Sequence, residues 1–431
     1  MSLHKHGQAL AEEEVLHERT TRKPFWLYFT ATTLINVAEG MFAITSLIIL
    51  SRVTNSALSI GFGLALIMVP PIVFTPFQGA IIDCFDKVRL AVWTNALRSL
   101  LFAFVGGAVA AGHTGLGLLY GTVLLSYVLW HFNVPVLESL LKELLPSDSR
   151  SGLAATQAAW LLGAMGAMIV AGFLIEKVGP ASPFYVAAGL KLLGAALCSR
   201  LKPPARAGEA VAARPGLARV DFRRYALEFK AGWRYVGSER RLLLMVLTAA
   251  TAQPFFQALN TLILPFASNV LGVGPAAVGL IQGAGGVGGL IAAASCISLA
   301  RANRSALGLV LSQVLLIASV GLFAAARTLG SASLGFFAIG IFACNLRVLA
   351  RALVLQLVRT EFAGRVMSTV SCIGLTLGLF TSVLAGLIAE HDIFWAYGFS
   401  ALFLLIPLGA TALYLASPVE EGDAQPARSF W

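Results

Sequence analysis

Twelve apolar stretches, each near the length of a bilayer-crossing helix, recur along this chain in two runs of six. They fall at 25–50, 57–80, 90–111, 115–137, 153–175 and 180–200, then at 242–268, 275–299, 304–326, 331–356, 364–388 and 392–416. A bilayer core takes about 20 apolar residues as helix. The runs are continuous rather than alternating, so helices are expected rather than barrel strands, and a helix satisfies its own backbone in lipid. Apolar residues make up 58% of the 431 and charged residues only 12%. A soluble domain cannot hide that much apolar surface. The fold class expected is therefore all-α and integral to a membrane, with twelve transmembrane helices in two pseudo-symmetric six-helix bundles.

The basic residues set the organisation. Of the 31 Lys and Arg, twenty-four fall in segments that share a side with the N-terminus, eleven of them in 200–241. Only Arg52, Lys177 and Arg327 fall on the other side, and Arg98, Lys191, Arg347 and Arg351 lie inside spans. This is a positive-inside bias, which places both termini in the cytoplasm of a cell inner (plasma) membrane protein. The divisions expected are a cytoplasmic tail 1–24, a bundle 25–200, a basic central loop 201–241, a second bundle 242–416 and a tail 417–431. The bias also accounts for the net charge of +10, so no nucleic-acid partner is expected. Membrane lipid is: 222–236 reads as a basic amphipathic helix on the cytoplasmic surface.

The two bundles repeat each other. Asn133, Val136, Leu137, Leu141 and Gly152 recur 212 residues later as Asn345, Val348, Leu349, Leu353 and Gly364. In span 1, Thr32, Asn36 and Glu39 share one helical face. Gln253, Gln257 and Asn260 repeat that spacing in span 7 at an offset of 221. Duplicated halves that each turn polar residues to the midplane are how many secondary transporters build a central site; hydrogen bonds between helices are the other reading of such residues.

Ionisable residues inside spans sharpen this. Glu39, Arg98, Lys191, Arg347 and Arg351 each cost about 2.5–3.5 kcal/mol at the centre of a helix unless they face water or a partner. Glu39 is expected to take up and release a proton during transport. The excess of cations favours an anionic cargo. His131 is read either as a proton relay or as a packing residue, and Glu138 as the partner of Lys142 one turn on. The cavity residues expected are Asn36, Glu39, Arg98, His131, Lys191, Gln253, Gln257, Asn260, Asn345 and Arg347.

Other chemistries find little support. The five cysteines are scattered and read as free thiols, and the N-terminal residues, with Glu12, Glu13, Glu14 and Glu18 among basic ones, are not a signal peptide. The GxGxxG at 283–288 lies inside an apolar span, without the strand that a dinucleotide site needs, and reads as close helix packing. No P-loop occurs, so a gradient drives transport unless a separate subunit hydrolyses ATP. No cofactor or metal is expected, and no enzyme: the acidic residues other than Glu39 lie in loops, tails or span ends, and the six His are dispersed.

Between spans 2 and 3 runs GAIIDCFDKVR, residues 79–89. It resembles the loop motif of the major facilitator superfamily: a Gly, an Asp four residues later, then basic residues. Cys84 stands where a basic residue is usual and Asp86 where Gly is usual. The Asp variant is similar to the subgroup of macrolide efflux pumps and enterobactin-type siderophore exporters, as are the runs 228–235, 144–150 and 361–368. The resemblance covers nearly the whole chain. It implies a monomeric secondary transporter working by alternating access, exporting a small siderophore-like or drug-like molecule in antiport with protons. It makes Gly79, Asp83, Asp86, Lys87 and Arg89 a gating motif. The Gly-Pro motif usual in span 5 of such exporters is missing: 163–172 carries glycines and no proline. Multidrug efflux of neutral or cationic compounds and proton-coupled uptake of an organic anion are the alternatives.

Overall fold

The computed structural model describes residues 2–75, 78–144, 166–201, 222–301, 305–359 and 362–417, with the isolated positions 156 and 163. All regular structure among them is helical. Among the described residues, ten helices are long and apolar enough to cross a membrane. They are Pro24–Thr54, Ala57–Phe74, Lys87–Ala110 and Leu116–Leu144 (spans 1 to 4), and Arg240–Val270, Pro275–Ala292, Ala306–Ala324, Leu329–Leu357, Ala363–His391 and Ile393–Ala416 (spans 7 to 12). Span 6 is the shorter Ser182–Cys198. Of span 5, residues 166–177 are helical, and most of its earlier part lies outside the described residues.

Capping side chains fix several starts. Ser56, Asp86 and Asp392 accept from the first-turn amides of Ser59, Arg89 and Phe394. Thr328 and Ser331 form a reciprocal capping box on span 10.

Prolines move some boundaries from those expected. Span 2 ends at Phe74 rather than 80, and a separate short helix, Gln78–Asp83, follows; Pro76, with no N–H to donate, lies between them. Past Pro265 the ladder of span 7 widens to one π turn, Phe266–Val270, closed by the Leu271 amide on the Phe266 carbonyl at 3.1 Å. Span 12 breaks at Leu404 into Ile393–Phe403 and Leu405–Ala416. There Pro407 lacks the amide that would continue the helix to Phe403. Span 4 extends to Leu144, seven residues past the expected end at 137.

The surface is that of a protein in lipid: Trp395, Leu100 and Leu402 are 75%, 68% and 64% exposed. Inside the first lobe Phe42 stacks on Phe102 at 4.1 Å, and the Tyr28 hydroxyl donates to the Leu137 carbonyl at 2.9 Å. Inside the second, the Tyr397 ring meets Phe266 and Phe323 edge to face, and those two rings lie tilted at 4.9 Å. The helix Phe222–Ser238 does not lie free on its surface. Its Tyr235 ring stacks on Phe362 at 4.5 Å, at the start of span 11.

Candidate functional site

Spans 1, 3 and 6 bring three ionisable side chains of the first lobe together. Glu39 Oε2 accepts from Lys191 Nζ at 3.1 Å and pairs with Arg98 Nη2. Arg98 and Lys191 are fully buried and Glu39 is 7% exposed. Charges so far from water persist only with partners, and the partners here are layered. Arg98 Nε and Nη2 donate to Ser126 Oγ of span 4 at 3.1 and 2.9 Å. Trp130 lies against both cations, its ring centroid 5.0 Å from the Arg98 guanidinium and 4.8 Å from Lys191 Nζ. Phe102 stands 5.3 Å from the guanidinium.

The cluster is not closed. It carries one carboxylate against two cations, an excess of one positive charge. Glu39 Oε1 and Arg98 Nη1 are buried with no hydrogen-bond partner. Buried polar atoms are nearly always paired, so a free acceptor and a free donor in one cluster give it capacity for another arrangement.

The same three helices of the other lobe hold a neutral counterpart. In spans 7, 9 and 12, Gln313 Nε2 donates to Thr411 Oγ1 at 3.0 Å, and Thr248 lies 3.4 Å from Thr411. The duplication therefore keeps buried polar groups in equivalent helices but puts ionic chemistry in the first lobe.

The remaining expected residues are distributed. Gln257 and Gln253 turn their amides to Met68 Sδ of span 2, at 3.2 and 3.9 Å, so the polar face of span 7 meets the opposite lobe. Asn36 is buried, and Asn260 is partly exposed. Asn345 lies inside its own lobe, its Oδ1 accepting from Ser295 Oγ at 2.9 Å and Cys296 Sγ at 3.1 Å. Its repeat mate Asn133 accepts likewise from Asn95 at 2.7 Å and Thr94 at 3.2 Å. The Arg347 guanidinium sits 4.8 Å from the Phe256 ring centroid. His131 keeps its ring against Phe132, 5.8 Å between centroids, with Nε2 unpartnered; its carbonyl accepts from Gln78.

In the loop motif, Asp86 caps span 3, and Lys87 Nζ meets Glu143 of span 4 at 2.5 Å. That pair lies within one lobe. Gly79 lies in the short helix Gln78–Asp83; the Asp83 side chain, Glu361 and residues 145–150 lie outside what the structure describes. The sequence raised Ser126 and Trp130 in no role, since a Ser and a Trp in an apolar span look like any packing residue.

The family model described as Major Facilitator Superfamily matches residues 28–333. No curated protein matches the chain in sequence. Among solved structures, the nucleoside transporter NupG is similar with a TM-score of 0.73 at 14% identity, over 92% of this chain and 100% of that one. A bacterial homologue of the human lysosomal transporter Spinster, inward-facing and occupied, gives 0.69 at 12%, over 91% and 96%. A bacterial homologue of the iron transporter ferroportin, in an inward-facing state, gives 0.69 at 15%, over 92% and 99%. At these identities the likeness is one of fold.

Proposed function

This chain belongs to the major facilitator superfamily, and from that premise we propose that it is a proton-coupled transporter of a small organic anion, working by alternating access of its two lobes in a cell inner membrane with both termini cytoplasmic. The observation that carries this reading is the Glu39–Arg98–Lys191 cluster with its surplus positive charge, its free donor and its free acceptor.

Glu39 stands where the carboxylate of a substrate would stand. An anion of two or more charges that takes both Arg98 and Lys191 leaves Glu39 without counter-charge, and a buried carboxylate without counter-charge is neutralised by a proton. Release of the anion lets Glu39 pair again and shed that proton. By linkage, anion and proton each favour binding of the other. This favours movement of both in one direction, as in uptake driven by an inward proton gradient. Antiport asks the opposite, that proton and cargo exclude each other. Export in antiport is the second reading, supported by the resemblance of the loop motif to siderophore and macrolide exporters.

The test is flux in proteoliposomes with an imposed pH gradient, using catechol carboxylates, simple di- and tricarboxylates and cationic dyes as probes. The proposal expects an anion to accumulate on the alkaline side, and Glu39→Gln to abolish the gradient-driven part. Accumulation on the acidic side supports the antiport reading. Preference for cationic dyes refutes the anionic one.

A further inference from the structure

The lobes meet on one face through two contacts that copy each other. At the end of span 11, Glu390 turns onto the first turn of span 2. Its Oε1 accepts from the Leu58 amide at 3.0 Å and from Ser56 Oγ at 2.6 Å. At the end of span 5, Glu176 does the same to span 8, its Oε1 accepting from the Ala276 amide at 3.0 Å. Leu58 and Ala276 are 218 residues apart, and Glu176 and Glu390 are 214 apart.

The backbones approach in the same paired way. A Cβ on Gly172 would lie 2.6 Å from the Pro275 carbonyl oxygen, and one on Gly386 would lie 2.8 Å from that of Ala57. Each carboxylate follows its glycine by one helical turn, in the runs Gly172 to Glu176 (GFLIE) and Gly386 to Glu390 (GLIAE). The glycine lets the helix of one lobe lie on the helix start of the other. The carboxylate one turn on then meets amides that have no partner within their own helix. A negative group there is held both by those amides and by the positive end of the helix.

Helix caps normally come from the same stretch of chain. In these two, donor and acceptor belong to different lobes, so each bond exists only while this face is closed. Both carboxylates are exposed and reach the aqueous face, the outer one in the orientation proposed above.

We infer that Glu176 and Glu390 are a pseudo-symmetric pair of positioning residues that cap spans 8 and 2 across the lobe interface, hold this face shut, and thereby set the balance between the two access states. The inference rests on alternating access and not on the identity of the cargo.

The experiment measures the distance between nitroxide labels carried as unnatural amino acids at His113 and Arg327, exposed loop positions of the two lobes on this face. The protein is whole, in nanodiscs. Losing one helix cap corresponds to about a fivefold change in an equilibrium. Glu390→Ala and Glu176→Ala are each expected to raise the open-to-closed ratio about fivefold, and the double variant about 25-fold, as independent contacts multiply. Gly274→Ala approaches the same clamp from the other lobe: its methyl would come 2.5 Å from Glu176 Oε1, and it should reproduce Glu176→Ala. It also serves if a Glu variant fails to fold. A distance distribution in the double variant or in Gly274→Ala that matches the wild type overturns the inference. That result leaves the anion reading standing, because flux and not distance tests it.

Discussion

Glu39→Gln removes the carboxylate shared by two buried cations, and the structure sets the size of the effect. Lys191 Nζ lies 3.1 Å from Glu39 Oε2. At an effective dielectric constant of about 20, that attraction alone is roughly 5 kcal/mol. Removing one member of a buried ion pair typically costs about 3–5 kcal/mol, since the charge left behind has neither water nor a partner. The three members are not equivalent. The cluster holds one cation too many, so Lys191→Met removes an attraction but also a surplus charge that repels Arg98. Its cost should be less than half that of Glu39→Gln. Adding Lys191→Met to Glu39→Gln should restore part of the loss, because one stranded charge is better than two. For a unit the size of one lobe, 3–5 kcal/mol corresponds to a fall in melting temperature of roughly 10 °C. The buried free thiols of Cys198 and Cys296 offer a readout: a thiol-reactive dye reports unfolding as they become exposed. Equal losses for Glu39→Gln and Lys191→Met, or a double variant that melts below Glu39→Gln, would refute the reasoning.

Three further outcomes are expected. Tyr28→Phe loses one buried hydrogen bond to the Leu137 carbonyl and should cost about 1 kcal/mol in the same melting assay without changing the pH dependence of flux. Lys87→Gln removes a partly exposed pair within one lobe; it should shift stability by less than about 1 kcal/mol and leave the distance between the lobes unaltered. Gly61→Leu puts a side chain where even a Cβ would lie 2.3 Å from the Ser382 carbonyl oxygen. It should hold spans 2 and 11 apart, seen as a longer distance between labels at 113 and 327 and a loss of flux.

The spans were legible because lipid demands long unbroken apolar runs, and few other sequences look like that. Their ends were less so: the break at Leu404 and the π turn after Pro265 follow from missing amides rather than from hydropathy. The sequence also identified Glu39, Arg98 and Lys191 as ionisable residues in lipid. It did not pair them, because Glu39 and Lys191 stand 152 residues apart and nothing local in either span points to the other. Asn133 and Asn345 carried the repeat visibly, yet both spend their oxygens on hydrogen bonds inside their own lobes. The two glycine–glutamate runs that clamp the lobes were readable as a repeat at a fixed offset. They passed unnoticed because a glutamate at a span end looks like ordinary solvated charge.

The most direct test is whether Glu39 becomes protonated when the cargo binds. Infrared difference spectra of the reconstituted protein, recorded on adding whichever anion the flux assay selects, separate ionised from protonated carboxyl groups. The account predicts a protonated-carboxyl band that appears with the anion and is missing in Glu39→Gln. An anion that is bound and transported while Glu39 stays ionised would contradict it.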